Sequence, residues 1–436
     1  MHRMIIEKLG PIEHAELTDS EYMVFIGSQA SGKSTIAKTI FFFRTIKDDI
    51  LTMMIKKSTG SINDASLNEK FLTSMNKTLR DKFLGIFGSS RAMNKDMQLE
   101  YWYGGATCIK VTLEKGSQYN SDRFVLFNYS QDIENYLRHN DDVLGRYTSG
   151  ISDSEIASAK EELETLFQDR SEIVYIPAGR SMITLLATQL SYIYTTMDDV
   201  QKRTIDLCTR SYIENIIKLR PLFSNGLQGI ENDNTIKPKS NRDNIKKAKK
   251  LINSILKGGY RFYNGEDRLD IKDNRYVKIN FASSGQQEAV WIVNLLFYYL
   301  VQGTPSFFII EEPESHLFPE AQKHVVELIS IFRNAGNRVL VTTHSPYILG
   351  SINNLLFAGQ LPEGCNESAE RVLDCCLWLK RSDVSGWYIS DGTVTDCVDN
   401  DVGLIQNELI DNISNVINED FDKLLSIKTG SEEAGE

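Results

Sequence analysis

The sequence predicts an α/β protein with a mostly parallel core sheet. Short apolar runs alternate with helix-like stretches, and three of these runs are compact and uninterrupted, at residues 22–27, 306–314 and 338–346. Such runs are typical of parallel strands, because helices cover both faces of a parallel sheet. A glycine-rich loop and a helical pattern follow the first run directly, which is the order of a nucleotide-binding unit.

Antiparallel strands are expected around this core, near the N-terminus. Two strand-like runs, 4–7 and 12–17, open the chain, and residues 98–114 alternate like a strand pair that turns at Gly104 and Gly105. A further strand is predicted at 123–129. We therefore assign residues 1–130 to the first part of the core, with a small helical insertion at 50–95.

The same strand-like and helix-like patterns divide the rest of the chain into three regions. Residues 131–270 are predicted to form a largely helical lid that contains a strand and loop at 172–180, and residues 271–360 return to the core. Residues 361–436 are expected to supply strands and an amphipathic helix at 402–427. Within them, Cys375 and Cys376 lie in an apolar run that predicts a buried strand, and the aspartate-rich run at 390–401 predicts turns.

Composition excludes several classes of protein. The chain has 436 residues, 41% of them hydrophobic, and a net charge of −11. No run approaches the roughly 20 apolar residues of a membrane span, and the first residues are charged too early for a signal peptide, so a cytoplasmic location is expected. Six cysteines without a C-x-x-C spacing favour reduced core thiols over a disulfide framework or a zinc site.

The loop GSQASGKST matches G-x-x-x-x-G-K-[ST], with a strand before it and a helix after it. Backbone N–H groups in such a loop wrap phosphate oxygens at a helix N-terminus. Lys33 is predicted to reach the β and γ phosphates, and the Ser34 hydroxyl to bind Mg²⁺. The predicted ATP-binding residues here are Gly27, Ser28, Gln29, Ala30, Ser31, Gly32, Lys33, Ser34 and Thr35.

Two glutamates end the second apolar run. Glu311 is predicted to contact Mg²⁺, directly or through water, and Glu312 to polarise the attacking water. Adjacent glutamates after an apolar strand also occur as ordinary solvated strand ends, but the glycine loop upstream and Pro313 downstream favour a catalytic role. The sequence thus predicts a site for ATP and Mg²⁺.

Two further segments complete the predicted site. His344 ends the third apolar run, where it could contact the γ-phosphate, although a lone histidine is more often structural. Small polar residues begin an apolar helix, and this helix N-terminus could bind another phosphate, although the same residues are ordinary helix caps. They are Ser283, Ser284, Gly285 and Gln286.

These elements, in this order, resemble the ABC-type ATPases, specifically the SMC and RecF-like branch. GSQASGKST resembles their Walker A motif, SSGQQ the signature, FFIIEE Walker B, PESHLFP the D-loop segment and TTHSP the switch-histidine loop. YIPAGR, at 175–180, is similar to a strand and loop of OLD-like ATPases in bacterial anti-phage systems. The resemblance is specific over residues 1–48 and 275–350.

The resemblance implies an ABC-type P-loop ATPase head that works as a head-to-tail homodimer or within a higher assembly. Two ATPs would lie between the copies, with Ser283 and Gly285 of one copy reaching the γ-phosphate held by Lys33 of the other. ATP would close the dimer, and hydrolysis, with Glu312, His344 and Lys33 as the catalytic residues, would release it.

The chain departs from this pattern at several positions. Glu311 stands where most relatives have aspartate, Gln29 and Ala30 replace the usual Asn-Gly, and the signature reads Ser-Ser-Gly. No Q-loop can be placed from the sequence. These differences predict nucleotide binding with slow hydrolysis.

Three functions remain open at this point. The preferred one is the ATPase subunit of an anti-phage system that controls a separately encoded effector such as a nuclease, since the residues after 350 lack a nuclease pattern. A RecF-like DNA or RNA clamp would use a basic cluster, which could equally be a solvated lid loop. The third is an ATP-dependent scaffold with almost no turnover. The basic cluster comprises Lys237, Lys239, Arg242, Lys246, Lys247, Lys249 and Lys250.

Overall fold

The structure is a computed structural model. It describes residues 1–58, 70–114, 124–144, 151–184, 196–198, 205–232, 241–271, 273 and 275–429, with the side chains of 141–144, 408–415 and 428–429 left out. The predicted lysines Lys237 and Lys239 lie outside these residues.

The strands form one large sheet and one small sheet. In chain order they are β1 (Arg3–Leu9), β2 (Ile12–Thr18), β3 (Tyr22–Ile26), β4 (Gln98–Gly104), β5 (Thr107–Leu113), β6 (Val125–Tyr129), β7 (Glu172–Ile176), β8 (Gly259–Tyr263), β9 (Glu266–Asp270), β10 (Tyr276–Lys278), β11 (Ser306–Glu311), β12 (Arg338–Thr343), β13 (Val384–Ser390) and β14 (Thr393–Asp396). The large sheet has the order β6-β5-β4-β1-β2-β14-β13-β3-β12-β11-β7, and the small sheet the order β10-β9-β8.

The helices are spread along the whole described chain. They are α1 (Lys33–Arg44), α2 (Ile46–Ser58), α3 (Phe71–Phe87), α4 (Gln131–Leu144), α5 (Asp153–Leu166), α6 (Leu207–Leu219), α7 (Gly226–Glu231), α8 (Arg242–Leu256), α9 (Ser284–Gln302), α10 (Pro319–Asn334), α11 (Pro346–Ala358), α12 (Asn366–Glu370) and α13 (Glu408–Thr429). Within the described residues, no helix is both long and apolar enough to cross a membrane.

The large sheet confirms the predicted fold class. Its core half is parallel: β3 pairs with β13 and β12, and β11 pairs with β12 and β7. Strands β6, β5, β4, β1 and β2 form the antiparallel half that the N-terminal residues predict. The molecule is therefore an α/β protein with a mostly parallel core sheet, an N-terminal antiparallel part and helical insertions.

Both faces of the parallel half are buried under helices. Along β3, Tyr22, Val24 and Ile26 belong to one hydrophobic core, which includes side chains of α9, α10 and α11. Met23 and Phe25, which alternate with them, belong to a second core with α1, α2 and α3. Because successive strand residues point to opposite faces, an uninterrupted apolar run is required at this position.

The C-terminal region corrects two expectations. Cys375–Leu377 is a 3₁₀ turn rather than a buried strand, because the Asp374 carboxylate accepts the Cys376 N–H at 3.1 Å and caps the turn. Cys365 and Cys375 are exposed, so the description as buried thiols holds for Cys108, Cys208 and Cys397 among the free cysteines.

The aspartate-rich run does not consist of turns alone. Asp391 and Gly392 have φ values of 50° and 75°, and these left-handed residues join β13 to β14 as a hairpin. β14 also bridges to β2, so this hairpin lies between the antiparallel and parallel halves of the sheet. The Asp-Gly pair was a hairpin signal that the run's charge obscured.

The lid region is less purely helical than the sequence predicts. Strands β8 and β9 lie within 131–270 and, with β10, make the small sheet beside α8. Tyr260 and Leu269, on β8 and β9, pack into the same hydrophobic core as α9. β7 joins the edge of the large sheet instead of remaining with the lid.

Candidate functional site

Parallel pairing brings the three predicted motifs to one edge of the sheet. Thr343 pairs with Ile26, and Glu311 pairs with Thr342. The residues that follow these strands, beginning with Gly27 and His344, therefore leave the sheet at the same edge. Ligands of parallel α/β sheets bind at the carboxyl ends of the strands, so this edge is the candidate site.

The glycine loop is held closely against the sheet. A Cβ on Gly27 would lie 2.3 Å from the carbonyl oxygen of Ile389, and a Cβ on Gly32 would lie 2.4 Å from the Ile12 side chain. Ala30 has a left-handed φ of 62°. Ser28, Gln29 and Ala30 remain exposed at the top of this loop, so glycine is required at its two ends for close packing.

Helix α1 begins directly after the loop with a free N-terminus. Gly32 occupies the cap position, no side chain caps the helix and no acidic residue lies in the first turn. The first N–H groups and the positive end of the helix dipole can therefore accept an anion. Ser34 is exposed on this first turn and Thr35 is half-buried.

The Lys33 side chain contacts the glycine loop and lies near the carboxylates of the site. Its Nζ donates to the carbonyl oxygens of Gly27 and Ser28, both at 2.7 Å. Burial lowers the pKa of Lys33, while the carboxylates of Glu312, Glu314 and Glu311 favour its charged form. The structure thus brings the predicted lysine and both predicted glutamates together in one cluster.

Glu311 is suited to hold a cation. The side chain is buried, its Oε2 accepts the N–H of Ala178 at 3.1 Å, and its Oε1 has no hydrogen-bond partner among the described residues. A buried carboxylate oxygen without a partner is costly. A hard cation prefers oxygen ligands, so Glu311 together with the Ser34 hydroxyl fits Mg²⁺.

Glu312 and His344 face each other across the strand ends. Glu312 has a left-handed φ of 43°, and its N–H donates to the Thr342 carbonyl at 2.9 Å. The His344 Nδ1 lies 3.7 Å from Glu312 Oε1 and 3.6 Å from Glu314 Oε1. His344 is half exposed and Glu312 is partly buried, so both side chains can be reached by a ligand.

The signature segment forms a capping box on α9. The Ser283 hydroxyl accepts the Gln286 N–H at 3.3 Å, and Gln286 Oε1 accepts the Ser283 N–H at 3.0 Å. Ser283 and Ser284 are exposed, whereas Gln286 donates to the Leu256 carbonyl at 2.7 Å. Within one chain, the segment thus contacts the lid and the loop after Glu312.

Three residues of the site had no predicted role. Glu314 accepts the Thr343 hydroxyl and the His344 N–H, and Arg180 forms a buried ion pair with Glu288. Each lies within or directly beside a motif quoted from the sequence: PESHLFP, YIPAGR and SSGQQ. A charged residue inside an otherwise apolar or turn-forming motif was the available signal, but only the contacts assign it partners.

The basic cluster is partly neutralised. Lys247 pairs with Asp374 at 2.6 Å and Lys249 with Glu231 at 2.7 Å. Lys246 and Lys250 line an open cavity of about 1080 Å³. The described part of this cluster therefore presents a mixed-charge surface instead of a continuous basic track.

A buried strand, a loop that matches G-x-x-x-x-G-K-[ST] and a helix, in this order, define a P-loop protein. The chain belongs to the AAA ATPase domain family, whose model matches residues 1–349. No curated protein is significantly similar to the chain.

Solved structures with similar folds include two SMC heads. One is the SMC head bound to the C-winged helix domain of ScpA, at 10% identity and a TM-score of 0.41, covering 90% of this chain and 96% of that chain. The other is the SMC head domain from Thermotoga maritima, at 12% identity and a TM-score of 0.35, covering 90% and 97%. Because both scores are low, the fold class is based on the sheet order and strand directions described above.

Proposed function

We propose that this chain is an ATPase that binds ATP and Mg²⁺ on the glycine loop and hydrolyses ATP with Glu312 as the water-polarising residue. The observation that supports this most is the convergence of Lys33, Glu311, Glu312 and His344 at one sheet edge. Phosphoryl transfer requires positioning and charge neutralisation more than covalent chemistry. Lys33 would bind phosphate, Glu311 and Ser34 would hold Mg²⁺, and His344 would contact the γ-phosphate.

Two variants test this assignment. Glu312→Gln should retain ATP binding and lose hydrolysis by about 100-fold or more, because general-base catalysis contributes roughly 10²–10⁴-fold. Lys33→Ala should weaken ATP binding itself. Glu320→Gln, an exposed acid on α10, serves as the matched control. Hydrolysis that survives Glu312→Gln would overturn the catalytic assignment.

The active form that we propose is a head-to-tail homodimer. Ser283 and Ser284 are exposed, while Gln286 binds the lid of its own chain, so in this dimer the two serines would face the ATP held by the second copy. Large exposed aromatic side chains lie in or beside the motifs: Phe281 before the signature, Phe318 within the D-loop segment and Tyr347 after the histidine loop. Exposed apolar groups of this size favour a protein interface.

The biological role that we propose is control of a separately encoded effector in bacterial anti-phage defence. This role rests on the likeness of YIPAGR to OLD-like ATPases and on the C-terminal helix α13. Residues Val416, Ile417, Phe421 and Leu424 of that helix are exposed on one face, which suits a protein partner. The mixed charge of the basic cluster gives a nucleic-acid clamp less support.

The test is mass spectrometry of the proteins that co-purify with tagged Glu312→Gln chain in ATP. A stoichiometric nuclease-like or toxin-like partner would support the role. Nucleic acid bound without a protein partner would overturn it in favour of a clamp. Metal-dependent cleavage of nucleic acid by the chain alone would overturn the separate effector.

A further inference from the structure

Arg180 is the most completely buried charged residue at the candidate site. It follows β7, and none of its side chain is accessible to solvent. Its Nη1 donates to the carbonyl oxygens of Pro177 and Glu311, both at 2.6 Å, and its Nη2 donates to the carbonyl oxygen of Glu312 at 2.9 Å. One guanidinium thus holds the carbonyl groups on both sides of the Glu312 Cα.

The opposite side of Arg180 contacts the signature helix. Its Nε lies 3.3 Å from Glu288 Oε2 and donates to the Glu288 carbonyl at 3.2 Å. The Glu288 carboxylate also accepts the N–H groups of Arg180 and Ser181, at 3.1 and 2.9 Å. Glu288 is 1% exposed and lies one turn after Ser284 on α9, so it moves with the SSGQ segment.

A second contact joins the same two elements. A Cβ on Gly285 would lie 2.7 Å from the carbonyl oxygen of His316, in the loop after Glu312. His316 itself has a left-handed φ of 59°. The first turn of α9 therefore presses on the Glu312 loop at Gly285 and is tied to it through Arg180, which makes independent movement of the two elements difficult.

We propose that Arg180 is a positioning residue that couples the two ATP sites of the dimer. This inference rests on the proposed function. In a head-to-tail dimer, Ser283 and Gly285 meet the ATP held by the partner, whereas Glu312 serves the ATP held by Lys33 of its own chain. Engagement of the signature at one site is transmitted through Glu288 and Arg180 to the water-polarising Glu312 of the other site.

The backbone of Glu312 explains why such a support is needed. A left-handed conformation is strained for a glutamate. A residue keeps such a conformation only where the surrounding structure holds it there. Arg180 binds the carbonyls on either side of the strained φ, so a small shift of α9 changes the direction of the Glu312 side chain. A displacement of about 1 Å at a catalytic group can cost roughly 100-fold in rate.

The test compares the wild-type chain with Glu288→Gln and Arg180→Lys. Glu288→Gln is nearly isosteric, keeps one acceptor oxygen where Arg180 N–H and Ser181 N–H now use separate carboxylate oxygens, and leaves Arg180 with its four carbonyl partners, so it is expected to fold. Glu327→Gln, a buried acid on α10 paired with Lys323, is the control. For each chain we would measure thermal unfolding, the Kd of a fluorescent ATP analogue, kcat, and the Hill coefficient of hydrolysis.

Wild type should show a Hill coefficient above 1, toward the limit of 2 for two coupled sites. Glu288→Gln should keep the Kd, lower kcat about tenfold and bring the Hill coefficient to 1. A wild-type chain that hydrolyses ATP without cooperativity, or a Glu288→Gln chain as cooperative as wild type, would overturn the coupling alone. A wild-type chain that binds ATP without hydrolysing it would overturn the proposed function together with the coupling.

Discussion

The Glu314 carboxylate fixes the start of the histidine loop by accepting the backbone N–H of His344 at 2.9 Å. The same oxygen accepts the Thr343 hydroxyl at 2.7 Å. Glu314 follows β11 by three residues, and His344 directly follows the neighbouring strand β12. A single buried oxygen therefore sets the relative position of Glu312 and His344.

Glu314→Ala should separate these two loops. The Thr343 hydroxyl and the His344 N–H would lose their acceptor, at a cost of about 1–3 kcal/mol each in the free energy of unfolding. We expect lower stability in chemical denaturation and a reduced kcat with ATP binding largely kept. Glu314→Gln retains an acceptor oxygen and is the control, so equal losses in both variants would contradict this account.

Gly27→Ala should disrupt the glycine loop. The added methyl group would lie 2.3 Å from the Ile389 carbonyl, a distance that forces the loop away from β13. ATP affinity, measured with a fluorescent analogue, should fall at least tenfold and the melting temperature should decrease. Gly350→Ala, on α11 with no atom near its Cβ position, should be neutral or slightly stabilising.

Arg44 links the first strands to the strand beside the lid. It is buried with ion-pair partners Asp19 and Asp169. Arg44→Leu leaves Asp19 with Arg338 and Asp169 with Lys47 as their remaining cationic partners, and we expect a loss of roughly 3 kcal/mol in the free energy of unfolding. Arg3→Ala removes an exposed pair with Glu16 and should cost at most about 1 kcal/mol. Similar losses in the two variants would contradict a special role for the buried cluster.

His2 should make the fold sensitive to mild acid. Burial, followed by the nearby Arg44 charge, lowers the pKa of His2 from 6.5 to about 4. The unfolded chain therefore binds a proton before the folded chain does, so stability is complete above pH 6.5 and is lost as the pH falls toward 4. The shift corresponds to roughly 3 kcal/mol at most.

Denaturant unfolding between pH 4 and 7 measures this effect. His2→Gln should flatten the dependence of unfolding free energy on pH across that window. His14→Gln, at an exposed side chain, is the matched control and should leave it in place. A wild-type slope that His2→Gln leaves unchanged would show that another group is responsible.

The exposed aromatic side chains near the motifs should stabilise the dimer and contribute little to the stability of the monomer. Phe318→Asp and Phe281→Asp change side chains that are 76% and 81% exposed, so the monomer should keep its stability within about 0.5 kcal/mol. In the Glu312→Gln background with ATP, light scattering should show loss of the dimer. Val372→Asp alters a side chain as exposed as Phe281 but distant in sequence from the motifs, and its dimer should persist.

Much of the local structure of this protein can be predicted from its sequence. The run at Tyr22–Ile26 followed by GSQASGKST predicts a buried strand, a phosphate-type loop and a helix, because each of these depends on neighbours in the chain. The turn at Gly104 and Gly105 and the capping box at Ser283 are predictable for the same reason. The roles of these residues toward ATP remain predictions.

Other features depend on contacts between distant residues. The charge of the run at 390–401 favoured turns, but Thr393–Asp396 becomes a strand because β13 and β2 lie on either side of it. Cys375 and Cys376 differ from this case, because the adjacent Asp374 caps a short turn there and the apolar composition of the run obscured that local signal. Local propensity is overridden where tertiary neighbours supply hydrogen bonds.

The sequence alone determined the α/β class, the nucleotide-loop motif and the acids expected to serve it, since these follow from periodicity and fixed spacing. Only the tertiary structure decided that Glu314 holds the His344 loop and that Arg180 ties Glu288 to the Glu312 backbone. Those residues are separated by as many as 132 positions. These charged groups become partners because they are buried at the same sheet edge. No local sequence pattern indicates which distant groups will be buried together.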